Sequence, residues 1–253
     1  MKFSVKTLTY IAFLLLISQI AAGRGTWKRE TDRAIAQMTE ESLFREISFL
    51  SDTLCKGRAT GTAGNVDVAF WIKRKFVKAG LKCFGESYGS HFITPTGAHA
   101  HNVIGMLPGA VSMPRDRYVI VGAHFDHLGI LHGKHYPGAD ANASGTVAMT
   151  SIARMMAAMR LATGRRNPSN VIFVGFDGKE ADMAGSNALW NMISEGKLID
   201  PVTRKAITPK QISLMVNIDQ IGATLSPLRQ DRPDYMIMLG NNRLKPSNTD
   251  LLE

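Results

Sequence analysis

The chain has 253 residues, enough for one domain with a substantial core, and 45% of them are hydrophobic. Lys and Arg number 30 against 21 Asp and Glu, a formal charge of +9. The basic residues are scattered, with no long run and no aromatic interleaving, so the charge reads as solvated surface and a nucleic-acid partner is excluded.

The N-terminus sets the compartment. Lys2 and Lys6 precede an apolar run from Leu8 to Ile20, and Ala21-Ala22-Gly23 follows. This is the pattern of a secretory signal over residues 1–23, cleaved near Gly23. The other reading is an anchor, for which the run is short against the roughly twenty residues of a span. The mature chain, 24–253, is expected to be secreted or periplasmic, with no membrane contact after cleavage. Its two cysteines, Cys55 and Cys83, are either a disulfide or two free thiols. No Cys-x-x-Cys pair supports zinc–sulfur ligation.

Thr39 to Leu50 carries Leu43, Ile47 and Leu50 at helical spacing, with Thr39 as cap. The Gly/Thr-rich stretch from Leu50 to Gly64 reads as an irregular loop. Val66 to Ala79 is a second amphipathic helix, ended by Gly80. Two short strands lie between His91 and Pro108, the second over Asn102–Leu107. Tyr118 to Val121 is a buried strand that stops at Gly122 and delivers His124, Asp126 and His127 into a loop. Thr146 to Leu161 is a helix whose Met149, Met155, Met156 and Met159 form a core stripe. Val171–Phe176 and Ile212–Ile218 are further strands, with a helix through Leu189, Trp190 and Ile193 between them. Tyr235–Leu239 is a fourth. Apolar strands alternating with helices predict an α/β fold, a mostly parallel sheet with helices on both faces. The chain stops inside a helix start at Ser247–Asp250, so further elements beyond Glu253 are expected.

Three of the strands end at polar groups: His124 with Asp126, then Glu180, then Asp219. Parallel strands bring their carboxyl ends to one edge of a sheet. An imidazole and two carboxylates there suit zinc, with Asp126 placed to accept the second imidazole proton. The other reading makes each acid a strand-end or cap residue.

These residues sit in ordered blocks: GRATGTAG, HNVIGMLPG, YVIVGAHFDH, PGADANASG, VIFVGFDGKEADMAGS and LMVNID. From about Leu43 to Leu239 the chain resembles the zinc aminopeptidase family that also holds glutamate carboxypeptidase, glutaminyl cyclase and the transferrin-receptor ectodomain (metallopeptidase family M twenty-eight). The resemblance implies a mixed sheet of zinc-exopeptidase type, peptides as substrates, and two zinc ions bridged by an Asp and a water. It places the first His ligand on His124, its supporting Asp on Asp126, the Glu ligand on Glu180 and a later Asp ligand on Asp219. Three positions depart. The bridging Asp falls on Ala141, with Asp140 one residue early. The general base falls on Lys179. The last His ligand lies beyond the final matched strand, and His127, His132 and His135 come too early to replace it. Losing a general base costs ~10²–10⁴ in rate. Lys179 either titrates to neutral or opposes zinc, and a neutral lysine could itself be a base. The expectations are therefore one zinc ion or none rather than two, and three alternatives for function: an exported zinc aminopeptidase, a one-zinc site of altered chemistry, or a non-catalytic binding protein on the same fold. Oligomeric state is not legible.

Overall fold

The computed structural model describes residues 38–110, 117–163 and 169–223, with 32, 35 and 36. The signal segment expected over 1–23, the strand expected at Tyr235–Leu239 and the helix start expected at Ser247 lie outside them.

Helix α1 (Glu40–Leu50) is capped by Thr39, whose side chain accepts from Ser42 N, and it buries Leu43, Ile47 and Leu50. Helix α2 (Ala63–Lys78) starts three residues before the expected Val66, because the Thr62 side chain caps it by accepting from Asn65 N. Between them the Gly/Thr-rich loop holds a short 3₁₀ segment, Thr53–Arg58, broken at Lys56 and Gly57. Gly57 has φ +66°, and a Cβ there would stand 2.7 Å from Gly129 Cα and O. Only glycine fits so close a backbone crossing.

Strands β1 (Lys82–Cys83), β2 (Gly89–Ile93) and β3 (His99–Leu107) follow, then β4 (Tyr118–His124). A hairpin of β5 (Gly129–Leu131) and β6 (Lys134–Tyr136) comes next, which alternation did not reveal. Helix α3 (Gly145–Thr163), β7 (Asn170–Phe176), α4 (Ala184–Ser194) and β8 (Ile212–Asn217) complete the described chain. The main sheet runs β1-β3-β7-β4-β8, with β2 also on β3. Strand β4 is parallel to β7 and β8, whereas β3 is antiparallel to β7, β1 and β2. The sheet is mixed, and its parallel half carries the candidate site.

Strand alternation divides the core. Val119, Val121, Ala123, Val171 and Phe173 pack under α1–α3. Tyr118, Ile120, Ile172, Val174 and Phe176 meet Leu189 and Ile193 of α4 on the other face. Met149, Met155, Met156 and Met159 are buried in the first layer, as expected of a core stripe. Cys55 and Cys83 are both free thiols.

One boundary is corrected. Strand β4 does not stop at Gly122 but continues, paired with β7, to His124 opposite Phe176. The Phe176 ring lies where a Gly122 side chain would be, with Cδ2 3.1 Å from that Cβ position. The glycine thus makes room for a ring and does not break the strand. His124 is held on the ladder, and only Asp126 and His127 lie in the loop.

Candidate functional site

The carboxyl ends of β4, β7 and β8 lie side by side, and the segments leaving them line one cavity containing His124, Asp177, Lys179 and Asp219, with Phe176, Met183 and Met215 as its apolar wall.

His124 is 3% exposed. Its backbone carbonyl accepts from Thr146 Oγ1 at 3.0 Å and Asn142 Nδ2 at 3.3 Å. Its Nδ1 lies 3.1 Å from the Asp126 carbonyl and 3.6 Å from Asp126 Oδ1. Its Nε2 lies 3.2 Å from Asp219 Oδ1. A carbonyl and an ionised carboxylate can only accept, so both ring nitrogens carry protons in this arrangement. Burial works against the imidazolium, yet the hydrogen bonds and charges of Asp126 and Asp219 outweigh it and raise the His124 pKa to about 9. Asp219 moves the other way, held low chiefly by the hydrogen bond from His124.

This pairing makes the metal-free chain pH-sensitive. The His124 contribution is complete below its unfolded pKa of roughly 6.5 and is lost as pH rises through the raised value. The Asp219 contribution is complete above roughly 3.9 and is lost as pH falls through its lowered pKa. In EDTA the thermal midpoint is expected to decline from about pH 6.5 to about 9, and His124→Asn to flatten that decline. A midpoint that climbs over this interval would show that the imidazolium pair does not form.

The second group centres on Glu180. Lys179 Nζ donates to Glu180 Oε1 at 2.9 Å. His127 Nδ1 stands 3.8 Å from the same oxygen. The Glu180 backbone N–H donates to Asp126 Oδ2 at 3.0 Å. The hydrogen bond to Glu180 raises the Lys179 pKa, helped by the charges of Glu180, Asp219 and Asp126. Lys179 is thus held as a cation, and the neutral-base alternative finds no support in this geometry. Burial, then the Arg58 charge, push the His127 pKa down.

Asp140 does not join either group. Its Oδ1 accepts from Gly222 N at 2.7 Å, and its carbonyl accepts from Ser144 Oγ at 2.8 Å. Ala141 contributes no donor, and the Ala141–Asn142 peptide bond is cis. His132 is at the β5–β6 turn with φ +51°, and His135 is on β6. His124 and Asp219 converge, while Glu180 is engaged by an ammonium group. Among the described residues no three His, Cys, Asp or Glu side chains are gathered to hold a metal ion.

Three buried residues that sequence reasoning did not single out hold this site together. Asp177 is fully buried and accepts from Thr60, Asn65 and Gly178 on Oδ1 and from His101 N on Oδ2. Burial raises its pKa against those hydrogen bonds. Asn142 is also fully buried. It donates to the carbonyls of His124 and Ile218 and accepts from the amides of Gly145 and Gln220. It therefore bolts the ends of β4 and β8 to the start of α3. A Cβ on Gly145 would stand 2.7 Å from Asn142 Nδ2. Asn142→Ala removes all four of these side-chain hydrogen bonds at once, and a loss of about 2–4 kcal/mol is expected in urea unfolding. A change below about 0.5 kcal/mol would deny the bolt. Arg58 is the third. An arginine in a Gly/Thr-rich loop carries no local sign of burial, and an asparagine beside Ala-Ser-Gly carries none of the four contacts it makes.

Residues 102–235, just over half of the chain, match the sequence model of Peptidase family M28. A probable leucine aminopeptidase of Arthroderma otae is 25% identical over 216 residues, covering 82% of this chain and 50% of that protein. Leucine aminopeptidase 1 of Arthroderma gypseum is 25% identical over 209 residues, covering 78% and 53%. The chain thus spans about half the length of these relatives. Among solved structures, LapA of Legionella pneumophila superposes with a TM-score of 0.52 at 17% identity, over 76% of this chain and 47% of its own. The zinc aminopeptidase BSAP of Bacillus subtilis gives 0.51 at 14% identity, over 70% and 68%. The likeness in fold agrees with the mixed sheet and its parallel site-bearing half. Sequence blocks, sheet and family match converge on one conclusion: the chain belongs to peptidase family M28.

Proposed function

We propose that this chain is an exported, non-hydrolysing member of the family, with a cavity that binds peptides without cleaving them. One observation carries the reading: the Lys179 ammonium is bonded to Glu180, where the family resemblance calls for a carboxylate base beside a metal ligand. The family suggests zinc, against which the donor set here is incomplete. His124 and Asp219 converge as an imidazole and a carboxylate would. The bridging position is Ala141, Asp140 is engaged by Gly222, and Glu180 is neutralised. These residues do not fit a bridged pair of ions, and no hydrolytic step through one is derived.

A second reading, a one-zinc exopeptidase, draws on the convergence of His124 and Asp219. Leucyl-4-nitroanilide separates the two, because the matched relatives are named leucine aminopeptidases. The purified mature chain is expected to release no nitroaniline above the buffer rate, with or without added Zn²⁺. Zinc-dependent turnover abolished by His124→Ala would overturn the proposal in favour of the enzyme.

A further inference from the structure

A second imidazole cluster lies on β2 and β3. His91 is directly opposite His101 in the antiparallel ladder, and Ile93 is opposite His99. Residues two apart share a strand face, and directly opposed residues share it too. His91, His99 and His101 therefore rise from one face of the hairpin. The rings of His91 and His101 have centroids 5.6 Å apart and planes at 31°. His91 and His99 are exposed, and His101 is partly buried.

His101 is held from behind. Its backbone N–H donates to Asp177 Oδ2 at 3.1 Å, and its Nδ1 stands 3.9 Å from the same oxygen. Its ring leans on Phe125, centroids 6.2 Å apart. Asp177 thus fixes His101 through its backbone N–H, while its carboxylate stands beyond hydrogen-bond distance of the ring. Burial, then the neighbouring His91, hold the His101 pKa below the ordinary value, which keeps a lone pair available near neutral pH.

We propose that His91 and His101 form a chelate for one divalent transition ion of the Zn²⁺, Ni²⁺ or Cu²⁺ class, with water completing the coordination. Two nitrogens each about 2 Å from one ion are spaced roughly 3 Å apart, which two facing rings at this separation reach by small side-chain rotations. Imidazole selects these borderline ions over Mg²⁺ or Ca²⁺. The site uses none of the residues lining the His124 cavity except Asp177, which supports His101 from outside the coordination shell. It does not depend on whether that cavity hydrolyses peptides.

The test is Zn²⁺ titration of the full chain by calorimetry, in a His124→Ala, Asp219→Ala background that silences the cavity. One equivalent is expected to bind, and His91→Ala, a change at an exposed position, is expected to weaken it about tenfold or more. No binding, or binding indifferent to His91→Ala, overturns the proposal. If the background variant does not fold, substoichiometric Ni²⁺ is added to the otherwise unchanged chain. Selective broadening of the His91 and His101 imidazole resonances is the expected result, and unaltered resonances overturn the proposal.

Discussion

Replacing Arg58 with alanine is expected to remove about 5 kcal/mol or more of stability, a large share of the roughly 5–15 kcal/mol of an ordinary domain. Arg58 is fully buried, and among the described residues no carboxylate is in hydrogen-bond contact with it. Instead its guanidinium donates to four carbonyls in three separate segments. Nε meets Phe125 O at 2.8 Å, one terminal nitrogen meets Leu50 O and Pro137 O, and the other meets Gly138 O at 2.8 Å. Hydrogen bonds from a charged donor contribute about 1.5–3 kcal/mol each, and a cavity would add to their loss. Burial lowers the Arg58 pKa, the neighbours Cys55 and Asp126 raise it, and the net value of about 10 leaves it protonated at neutral pH. Arg58→Lys is expected to recover little, because three donors on a point cannot replace a planar fork. Urea unfolding followed by circular dichroism reads the loss as a lower midpoint. A midpoint within the error of the unsubstituted chain would mean that the four contacts do not hold these loops.

The second large effect concerns the cavity. Ala141→Asp with Lys179→Glu is expected to raise its zinc affinity about 10²-fold or more. Two unit charges about 4 Å apart interact by ~4 kcal/mol at an effective dielectric of about 20, and zinc carries two charges. The Lys179 side chain is 27% exposed, so solvent screens part of that repulsion. Removing the ammonium also frees Glu180, and the new acid lies at the position the family uses to bridge. Lys179→Glu alone should change stability by less than about 1 kcal/mol, because a partly exposed ion pair contributes little. The affinity is measured in a His91→Ala background, so that the imidazole pair on β2 and β3 does not contribute. An unchanged affinity would mean that Ala141 and Lys179 are not the positions that govern metal binding.

Much of this was legible because periodicity reports burial. Helix α1 and its Thr39 cap, the Met stripe of α3 and the buried run of β7 follow from spacing, whereas β8, expected as a buried strand, alternates between half-buried and exposed residues. Parallel strands place His124 and Asp219 together at one edge of the sheet, whereas Glu180 pairs instead with Lys179 and His127. Other features depend on partners distant in sequence. The continuation of β4 past Gly122 depends on the Phe176 ring filling the glycine's space. The antiparallel course of β3 is invisible in its sequence, since a strand buried on both faces reads alike in either direction. The β5–β6 hairpin has exposed Ile130 and Leu131, so its pattern resembles neither a core strand nor a polar loop. Asp140 turns to Gly222, 82 residues away, and no local pattern announces that. Arg58 is the extreme case, because its partners lie 8, 67, 79 and 80 residues distant.

An ion pair, Lys179 on Glu180, stands where the family resemblance places a base beside a metal ligand. A crystal structure of the chain soaked in Zn²⁺, with an anomalous difference map at the zinc edge, tests this because it locates each ion. No pair of zinc ions is expected beside His124 and Asp219, and Lys179 is expected to stay bonded to Glu180. Two anomalous peaks within bridging distance there, with the Lys179 ammonium displaced, would contradict it.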